Sequence, residues 1–296
     1  MGPGDWPGRS YFQCRIHPPG RIVLFKLPDF PAFGHSRPMP DSAEWIVLAA
    51  GFLAAVMNSV AGGGTMLTFP ALLAAGLPGV LANTTSTVAL FIGMPGSVWA
   101  FRKKIAEVKY WMLPLGSASL LGGLAGGWLL LRLPSSLFDA VVPWLLLFAT
   151  SLFVLNRPIQ GWLARRRGSR LAPEASHPKS WGIVFQGIVA LYGGYFGAGI
   201  GIMMLAGLSL LGLREINRMN ALKSLLGLLC NAASVVYFIA KGSVDWRLAG
   251  FLIAGSVPGY FLGSHFAQRI PAAAVRSIVA VIGLGIASYL LWQRFL

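Results

Sequence analysis

The chain consists largely of long apolar runs that carry no charge. Between Glu44 and Arg102 there is no Asp, Glu, Lys or Arg. A helix needs about 20 predominantly apolar residues to cross the hydrocarbon of a bilayer. Eight runs approach or exceed that length. We therefore predict membrane-spanning segments at roughly 45–76, 81–101, 111–131, 137–155, 182–212, 217–241, 246–267 and 273–293.

Two of these runs, 45–76 and 182–212, are longer than one crossing requires, and each contains a cluster of glycines. Glycine costs a helix about 1 kcal/mol relative to alanine, so three in succession at 62–64 favour an interruption. Irregular backbone is tolerated inside a membrane only where protein covers it or where it lines a cavity. The pattern predicts two half-helices joined by an unwound segment in each run. The alternative is a close contact between helices, where small residues are common.

Composition places the whole chain among membrane proteins. Of its 296 residues, 55% are hydrophobic and 11% are charged, and the mean hydropathy is +0.67. Soluble domains are about one quarter charged. The net charge of +15 comes from Lys and Arg residues, many of which cluster between apolar runs at 102–104 and 165–179, as in loops retained on the cytoplasmic side. We therefore expect a lipid bilayer, and no nucleic acid, as a partner.

A repeat and the basic loops together predict the topology. An offset of 136 brings glycines of the two halves into register: Gly51 with Gly187, Gly63 with Gly199, and Gly76 with Gly212. Both basic loops fall in the cytoplasm if each over-long run crosses once, which gives eight spans with both termini inside. The sequence thus predicts an all-α integral membrane protein of two four-span repeats, at 45–155 and 181–296, joined by a cytoplasmic linker at 156–180. An even number of spans in each half predicts parallel repeats.

Residues 1–44 are rich in Pro, Gly and Arg, lack periodicity, and are predicted to be disordered. They also lack the uninterrupted apolar core of a signal peptide. Because Met39 stands just before the first span, we expect translation to begin there and the upstream segment to be an extension of the gene model.

The glycine clusters are the first candidate for a binding site. A break exposes backbone N–H groups at the start of the second half-helix, where the helix dipole favours an anion without any basic side chain. The second cluster supplies a symmetric counterpart. The substrate-binding candidates from these clusters are Gly62, Gly63, Gly64 and Thr65 in the first half, and Gly197, Gly199 and Gly201 in the second.

Polar side chains within the apolar runs supply further candidates. Lys223 is a charge well inside a predicted span, where an ionisable group costs about 2.5–3.5 kcal/mol and indicates function. The alternative is that its ammonium reaches the membrane interface. Buried amides and hydroxyls either bind substrate or hold helices together. The side-chain candidates for substrate binding are Asn58, Asn83, Thr84, Thr85, Asn220 and Lys223.

Other motifs indicate architecture and exclude several chemistries. Ladders of small residues, predicted to be repeat mates that pack helices together, occur at Ser119, Gly123 and Gly127 and at Gly255, Gly259 and Gly263. Cys14 and Cys230 lack the spacing of a metal site. The sequence contains no Walker motif, and its spans contain no HExxH or GxSxG motif. We therefore expect no ATP hydrolysis, no catalysis, no cofactor and no metal.

The apolar segments resemble the sulfite exporter TauE/SafE family of bacterial permeases over about 45–293. The similar residues are Gly51 to Asn58, Ala61 to Gly64, Phe69 to Leu73 and Ala82 to Ser86, and in the second half Gly193 to Gly201 and Asn220 to Lys223. The resemblance implies a multi-span exporter or permease for small anions, including sulfite and organosulfonates, in the bacterial inner membrane.

The expected function is secondary transport of a small anion, a sulfur oxyanion or an organic acid, by alternating access of two repeats around a midplane site. Export of an anion from a negative interior is favoured by about 2.3 kcal/mol per charge per 100 mV. The alternative is a structural or regulatory membrane subunit without transport of its own. A homo-oligomer is compatible with either function.

Overall fold

The computed structural model describes residues 42–60, 63–166 and 177–266, with isolated positions from 281 to 292. Within this part of the chain, all regular structure is helical. The helices are α1 (Ser42–Val60), α2 (Thr65–Ala74), α3 (Gly79–Ala100), α4 (Arg102–Glu107), α5 (Lys109–Arg132), α6 (Ser135–Arg166), α7 (Ser180–Tyr195), α8 (Ile200–Leu210), α9 (Ile216–Ala240) and α10 (Trp246–Phe266). The tail predicted at 1–44 lies outside the described residues except for 42–44, which begin α1. Most of the span predicted at 273–293 also lies outside them.

The outer surface and the helix lengths are those of a membrane protein. Three helical segments are long and apolar enough by composition alone to cross a bilayer: Lys109–Arg132, Ser135–Leu155 and Ile216–Ala240. Large apolar side chains face outward, among them Leu113 at 82% and Phe261 at 74% exposure, and extended apolar surfaces of this kind mark contact with a membrane or a partner. Helix α6 continues to Arg166, so the linker predicted at 156–180 begins as an extension of that helix.

Both predicted interruptions are present. Helix α1 ends at Val60 and α2 begins at Thr65, and between them Gly63 has a φ of 109°. The second break, between α7 and α8, contains Gly197 and Gly199 with φ of 81° and 77°. L-residues with side chains rarely adopt these values, whereas glycine adopts them at little cost. The glycines therefore permit the backbone to leave the helix at these two points.

After each break the chain turns back along the helix it has just left. A Cβ added to Gly64 would lie 2.7 Å from the carbonyl oxygen of Ala54, ten positions earlier. In the second half, a Cβ at Gly207 would lie 2.5 Å from the ring of Phe185. A continuous helix would separate residues ten positions apart by about 15 Å. Each interrupted segment is thus a re-entrant hairpin, which corrects the prediction that it crosses the membrane once.

Contacts between helix ends define two faces of the molecule. On the first, named here the basic face for the adjacent Arg and Lys residues at 102–104, Lys104 lies 3.2 Å from Glu215, just before α9. His177, which precedes α7, packs edge-on against Tyr110 at the start of α5, with ring centroids 5.3 Å apart. The end of α3 and the starts of α5, α7 and α9 therefore share the basic face.

The second, opposite face joins the remaining helix ends. The N–H of Asp245, just before α10, donates a 3.0 Å hydrogen bond to Thr85 near the start of α3. Arg247 at the start of α10 pairs with Glu44 at the start of α1. Helix α3 therefore runs from the opposite face to the basic face, and α9 runs in the reverse direction.

The two halves are consequently inverted. Helices α1 and α3 begin at the opposite face, whereas their mates α7 and α9 begin at the basic face. Because α1 and α2 form a hairpin, the first half runs between the two faces three times, through α3, α5 and α6, and this odd number of passages reverses the orientation of the second half. This corrects the predicted parallel repeats and the count of eight spans. The start of α1 also lies away from the basic loop, so the predicted cytoplasmic position of the N-terminal end is not supported at Ser42.

The sequence repeat persists in the local structure. The turns after α2 and α8 place Gly76 and Gly212 at φ of 90° and 99°, and in each turn the N–H of the following leucine bonds the carbonyl five residues earlier at 3.1 Å. This is a Schellman ending, in which glycine terminates the helix. The offset then grows by one, because α3 begins at Gly79 and α9 at Ile216, 137 positions apart.

Each hairpin packs against a helix of the other half, so the halves are interwoven. Helix α1 packs along α10, where a Cβ at Gly259 would lie 2.5 Å from the carbonyl oxygen of Phe52. Helix α7 packs along α5, where a Cβ at Gly122 would lie 2.5 Å from the carbonyl oxygen of Gly187. Such contacts between backbones require residues without side chains.

The pairing of the two predicted small-residue ladders as repeat mates needs a correction. On α10, Gly255, Gly259 and Gly263 all face α1, as expected. On α5, however, Gly123 faces Cys230 of α9, and it is Gly122 that faces α7. At the offset of 137 that the helices follow, Gly122 is the mate of Gly259. The offset of 136 instead paired Gly259 with Gly123, which is one residue after the true mate on α5.

Candidate functional site

A cavity with both polar and apolar lining residues lies where the two hairpins meet helices α3, α9 and α10, with an empty volume of about 680 Å³ that includes its open mouth. Its lining includes several pairs of repeat mates: Thr65 and Gly201, Thr87 and Ser224, Leu90 and Gly227, and Met94 and Asn231. Residues related by the repeat thus face one another across the same space. The cavity therefore lies on the pseudo-twofold axis that relates the halves.

The two breaks adjoin each other beside this cavity. A Cβ placed on Gly63 would lie 3.4 Å from the backbone nitrogen of Gly199, and one on Gly197 would lie 3.7 Å from the hydroxyl of Thr65. The N-terminal ends of α2 and α8 therefore approach the same point from opposite faces. The first turn of any helix carries N–H groups without an intrahelical acceptor and a partial positive charge.

Asn58 organises the first break. Its side-chain oxygen accepts hydrogen bonds from the backbone N–H groups of Gly63 at 2.7 Å and Gly64 at 3.2 Å. Its amide nitrogen donates to the Tyr260 hydroxyl at 2.6 Å. Two of the N–H groups predicted to hold an anion are thus already bonded within the protein. Asn58 and Thr65 line the cavity, Gly63 and Gly64 lie buried beside it, and Gly62 lies outside the described residues.

The second break contributes backbone more directly. Gly197, Ile200 and Gly201 line the cavity. Gly199 does not: a Cβ there would lie 3.6 Å from Ala149, so this residue faces α6. The Tyr192 hydroxyl donates a 2.7 Å hydrogen bond to the carbonyl of Ala198 within the break. The segment is therefore tied back to α7 while the start of α8 stays open to the cavity.

Lys223 supplies the formal positive charge of the cavity. It is on α9, only 6% exposed, and lines the cavity together with hydroxyl and amide groups. No described residue forms a hydrogen bond or an ion pair with its ammonium. Among the described residues, the lining contains no Asp or Glu. The burial excludes the alternative that its side chain extends to the membrane interface.

Thr84 and Thr85 are placed away from the cavity. The Thr84 hydroxyl donates to the carbonyls of Val80 and Leu81 of its own helix, at 3.1 Å each. The Thr85 hydroxyl accepts the N–H of Asp245. Both residues join α3 to the loop before α10 and lie outside the cavity lining, so their role in substrate binding stays a prediction.

Asn83 and Asn220 also lie outside the cavity lining. They are repeat mates at the offset of 137, near the starts of α3 and α9. The amide nitrogen of Asn83 donates to the carbonyl of Tyr195 at 2.9 Å, at the end of α7. The side-chain oxygens of both asparagines are buried without a hydrogen-bond partner among the described residues. Asn83 therefore binds the end of α7, next to the second break, on the side away from the cavity.

Several lining residues were not among the sequence candidates. Tyr260 is buried at 3% exposure, and its ring occupies the space beside Gly93 of α3. The sequence does contain a signal for Tyr260, because this residue directly follows Gly259 of a small-residue ladder. Along α3 the lining residues recur every three or four positions, at Thr87, Leu90, Met94 and Ser97. That stripe is visible in the sequence but does not by itself reveal which face of α3 is enclosed.

A cluster of ion pairs joins helix ends on the basic face. Lys104 and Arg218 contact both Glu107 and Glu215, at distances of 2.8 to 3.2 Å. The side-chain hydrogen bond from Lys104, followed by that from Arg218, lowers the pKa of Glu107. The hydrogen bond to Glu107 in turn raises the pKa of Lys104. The cluster links the loop after α3 in the first half to the start of α9 in the second.

The described residues offer little for metal chemistry. Among them, no group of three or more His, Cys, Asp or Glu side chains is placed to hold a metal ion. Cys230 is buried as a free thiol and donates to the carbonyl of Ala190 at 3.3 Å. The polar groups at the cavity suit recognition of a small anionic molecule by hydrogen bonds.

Paired re-entrant hairpins around an internal cavity, enclosed by apolar helices, define a multi-pass membrane protein. The chain belongs to the family of the sulfite exporter TauE/SafE, whose model matches residues 47–290. This match covers both hairpins, apart from the first five residues of α1, and every residue of the cavity lining. The protein is accordingly a member of a family of membrane transporters.

Relatives of this chain in bacteria are also named as membrane transporters. A "Probable membrane transporter protein" of Haemophilus influenzae is 27% identical over 252 residues, which cover 84% of this chain and 94% of the relative. The "Probable membrane transporter protein ORF9" of Sinorhizobium sp is 24% identical, with 83% and 91% covered. The "Probable membrane transporter protein YfcA" of Escherichia coli K12 is 25% identical, with 84% and 88% covered.

Proposed function

We propose that this protein is a secondary transporter that exports a small anion, such as sulfite, an organosulfonate or another organic acid. The observation that carries the proposal is the buried Lys223 ammonium, which faces a cavity without a carboxylate. A buried charge inside a span is costly and indicates a function. Its cost falls when an anion occupies the cavity, so the free protein is prepared for a negatively charged substrate.

The helix termini support the same substrate class. The starts of α2 and α8 are both directed at the cavity, and their partial positive charges add to that of Lys223. The hydroxyls of Thr65 and Ser224 supply donors for oxyanion oxygens, whereas that of Thr87 already donates to the carbonyl of Asn83 at 2.8 Å. Interrupted helices whose N-termini point at an anionic group are the arrangement that transporters use near the membrane midplane.

The driving force follows from the distribution of acidic groups. The described carboxylates lie at helix ends or in loops, at Glu44, Glu107, Asp139, Glu215 and Asp245. None lies in the cavity, where a proton relay through Asp or Glu would require one. The membrane potential alone favours anion export by about 2.3 kcal/mol per charge per 100 mV. Inverted halves give two related conformations in which the site faces alternate sides.

Reconstitution tests the proposal. Purified protein in proteoliposomes is assayed for uptake of labelled sulfite and labelled sulfoacetate with an imposed potential. We expect flux in the wild type, loss of most flux in Lys223→Ala, and wild-type flux in Lys103→Ala, which removes an exposed lysine of the basic loop. Unchanged flux in Lys223→Ala removes the assigned site. Absence of flux from the wild type with all anions tested favours a structural or regulatory subunit.

A further inference from the structure

Lys223 has a repeat mate of different chemistry. At the offset of 137, the equivalent of Lys223 on α9 is Ser86 on α3. Ser86 is fully buried, and its hydroxyl lies 2.5 Å from that of Thr68 on α2. Thr68 is in turn the mate, at 136, of Met204, which lines the cavity beside Lys223. In the second half, Met204 and Lys223 thus face the cavity. In the first half, the equivalent residues Thr68 and Ser86 are instead joined to each other by a hydrogen bond.

A second pair of mates shows the same difference. Ser97 lines the cavity near the basic-face end of α3. Its mate Ser234 does not line it and instead donates a 2.8 Å hydrogen bond to the carbonyl of Gly123 on α5. Both differences have the same sense: the cavity extends toward the basic face and is closed on the side of the opposite face. The structure therefore represents one of the two conformations expected of inverted halves.

We propose that the substrate meets a full positive charge only when the site faces the basic side, and that Lys223 makes this the high-affinity side of the transporter. The inference rests on the proposed transport function. In the other conformation, the two halves exchange their arrangements. Lys223 and Met204 then pack against each other away from the cavity, and Ser86 and Thr68 face it. The anion is then held by neutral hydroxyls and the helix N-termini, without an ammonium.

The expected difference in affinity follows from the hydrogen bonds involved. A hydrogen bond to a charged group contributes more to binding than a neutral one. Loss of the ammonium should therefore weaken binding about tenfold on the opposite side. The asymmetry does not drive net transport. Without a potential, the ratio of Vmax to KM must be equal in both directions, so the lower KM on the basic side is matched by a lower Vmax from that side.

The charged residues of the ion-pair cluster do not remove the difference in affinity between the two sides. Arg218, on the same helix, is bonded within the ion-pair cluster at the basic face. The two glutamates of that cluster each contact Lys104 and Arg218 and are a third exposed. They are compensated by these partners and do not line the cavity. The ammonium of Lys223 therefore keeps its positive potential for the substrate.

Vesicles of both orientations test the inference. Uptake of labelled sulfite and sulfoacetate is measured at zero potential in inside-out and right-side-out vesicles, which present opposite faces to the medium. We expect the KM for entry from the basic face to be about tenfold lower in the wild type. In Lys223→Ser the KM on the basic face should rise to that of the opposite face. Lys103→Ser is the matched control and should keep the wild-type ratio.

Two further variants separate charge from packing. Lys223→Arg retains the charge and should retain the asymmetry, whereas the exchange Ser86→Lys with Lys223→Ser should reverse it. Equal KM values in the wild type, or an unchanged ratio in Lys223→Ser, would overturn the inference while leaving transport itself established. Absence of flux in the wild type would overturn the proposed function and this inference with it. If the double variant does not fold, Lys223→Ser and Lys223→Arg still decide the question.

Discussion

The side chains of Asn58 and Tyr260 meet inside the membrane domain, with the amide nitrogen donating a 2.6 Å hydrogen bond to the tyrosine hydroxyl. Tyr260 lies about 21 Å along α10 from Trp246, at 1.5 Å per residue. The same Asn58 caps the first break through its oxygen. One side chain thus fixes both the end of α1 and the wall of the cavity, and couples the hairpin of the first half to a helix of the second.

Removal of the tyrosine hydroxyl should loosen this coupling. In Tyr260→Phe the amide nitrogen of Asn58 loses its buried acceptor, which costs about 1–3 kcal/mol. We expect a lower melting temperature in detergent and a raised KM for the transported anion, because Asn58 lines the cavity. Tyr237→Phe, at a half-buried tyrosine outside the cavity lining, is the control. Equal stability of both variants would show that the Asn58 bond contributes nothing.

The first break should not tolerate a side chain at Gly63. Its φ of 109° is strained for alanine, and a Cβ would overlap the ring of Phe153. Backbone strain of this kind costs about 1–3 kcal/mol, and the overlap adds to it. Gly63→Ala should therefore reduce thermal stability and flux together. Gly161→Ala, at a helical position with no atom within 4 Å, is the comparison and should change neither.

The crossed pairing of α1 with α10 depends on the absence of side chains along α10. A larger residue at Gly259 would force the two helices apart, at about 1–3 kcal/mol for overpacking. Gly259→Leu should lower the yield of folded protein in size-exclusion chromatography. Gly250→Ala on the same helix meets no atom within 4 Å and should leave the yield intact or raise it. A folded, fully active Gly259→Leu protein would contradict this contact.

The inverted orientation makes a prediction that parallel repeats do not. Lys103 lies on the basic face, and Lys241, in the loop that bonds the start of α3, lies on the opposite face. In a background with Cys14→Ser and Cys230→Ala, a membrane-impermeant maleimide should label Lys103→Cys and Lys241→Cys from different sides of the membrane. Eight spans with parallel repeats place both in the cytoplasm. Labelling of both from one side would refute the inversion.

The ion-pair cluster at the basic face should respond to acid. Hydrogen bonds from Lys104 and then Arg218 lower the pKa of Glu107, so its contribution to stability is present above the pKa of the unfolded chain and is lost as pH falls through the lower, folded value. Glu107→Gln should slightly reduce the melting temperature at pH 7, since exposed pairs contribute little. At a pH low enough to protonate Glu107, wild type and variant should melt together. A difference that persists there would assign the effect to packing.

The sequence was sufficient to find the breaks but not the direction that the chain takes after them. Three glycines at 62–64 inside an apolar run indicate an interruption, because no helix favours them. Whether α2 continues or turns back is decided by contacts such as that of Gly64 with Ala54, which join separate elements. The length of α2 is informative in retrospect: its ten residues span about 15 Å, too short to complete a crossing.

Some residues of the candidate site could be predicted from the sequence, whereas others required the structure. Lys223, Asn58 and Thr65 could be selected from chemistry alone, because a charge, an amide and a hydroxyl are conspicuous in apolar surroundings. Thr84 and Thr85 have the same composition as Thr87, yet only Thr87 lines the cavity. Successive residues on a helix point about 100° apart, and the enclosed face is known only once the neighbouring helices are placed. Tyr260 was missed because its role arises from a partner 202 positions away.

The opposed directions of α2 and α8 have an electrical consequence. Each helix carries its positive end inward and its negative end toward its own face, so the two dipoles cancel along the membrane normal and reinforce each other at the cavity. The two helices thus concentrate positive potential at the cavity, while their own dipoles add little field along the membrane normal. On the proposed function, the membrane potential then acts on the charge of the substrate and on Lys223. It has little effect on the paired helices α2 and α8.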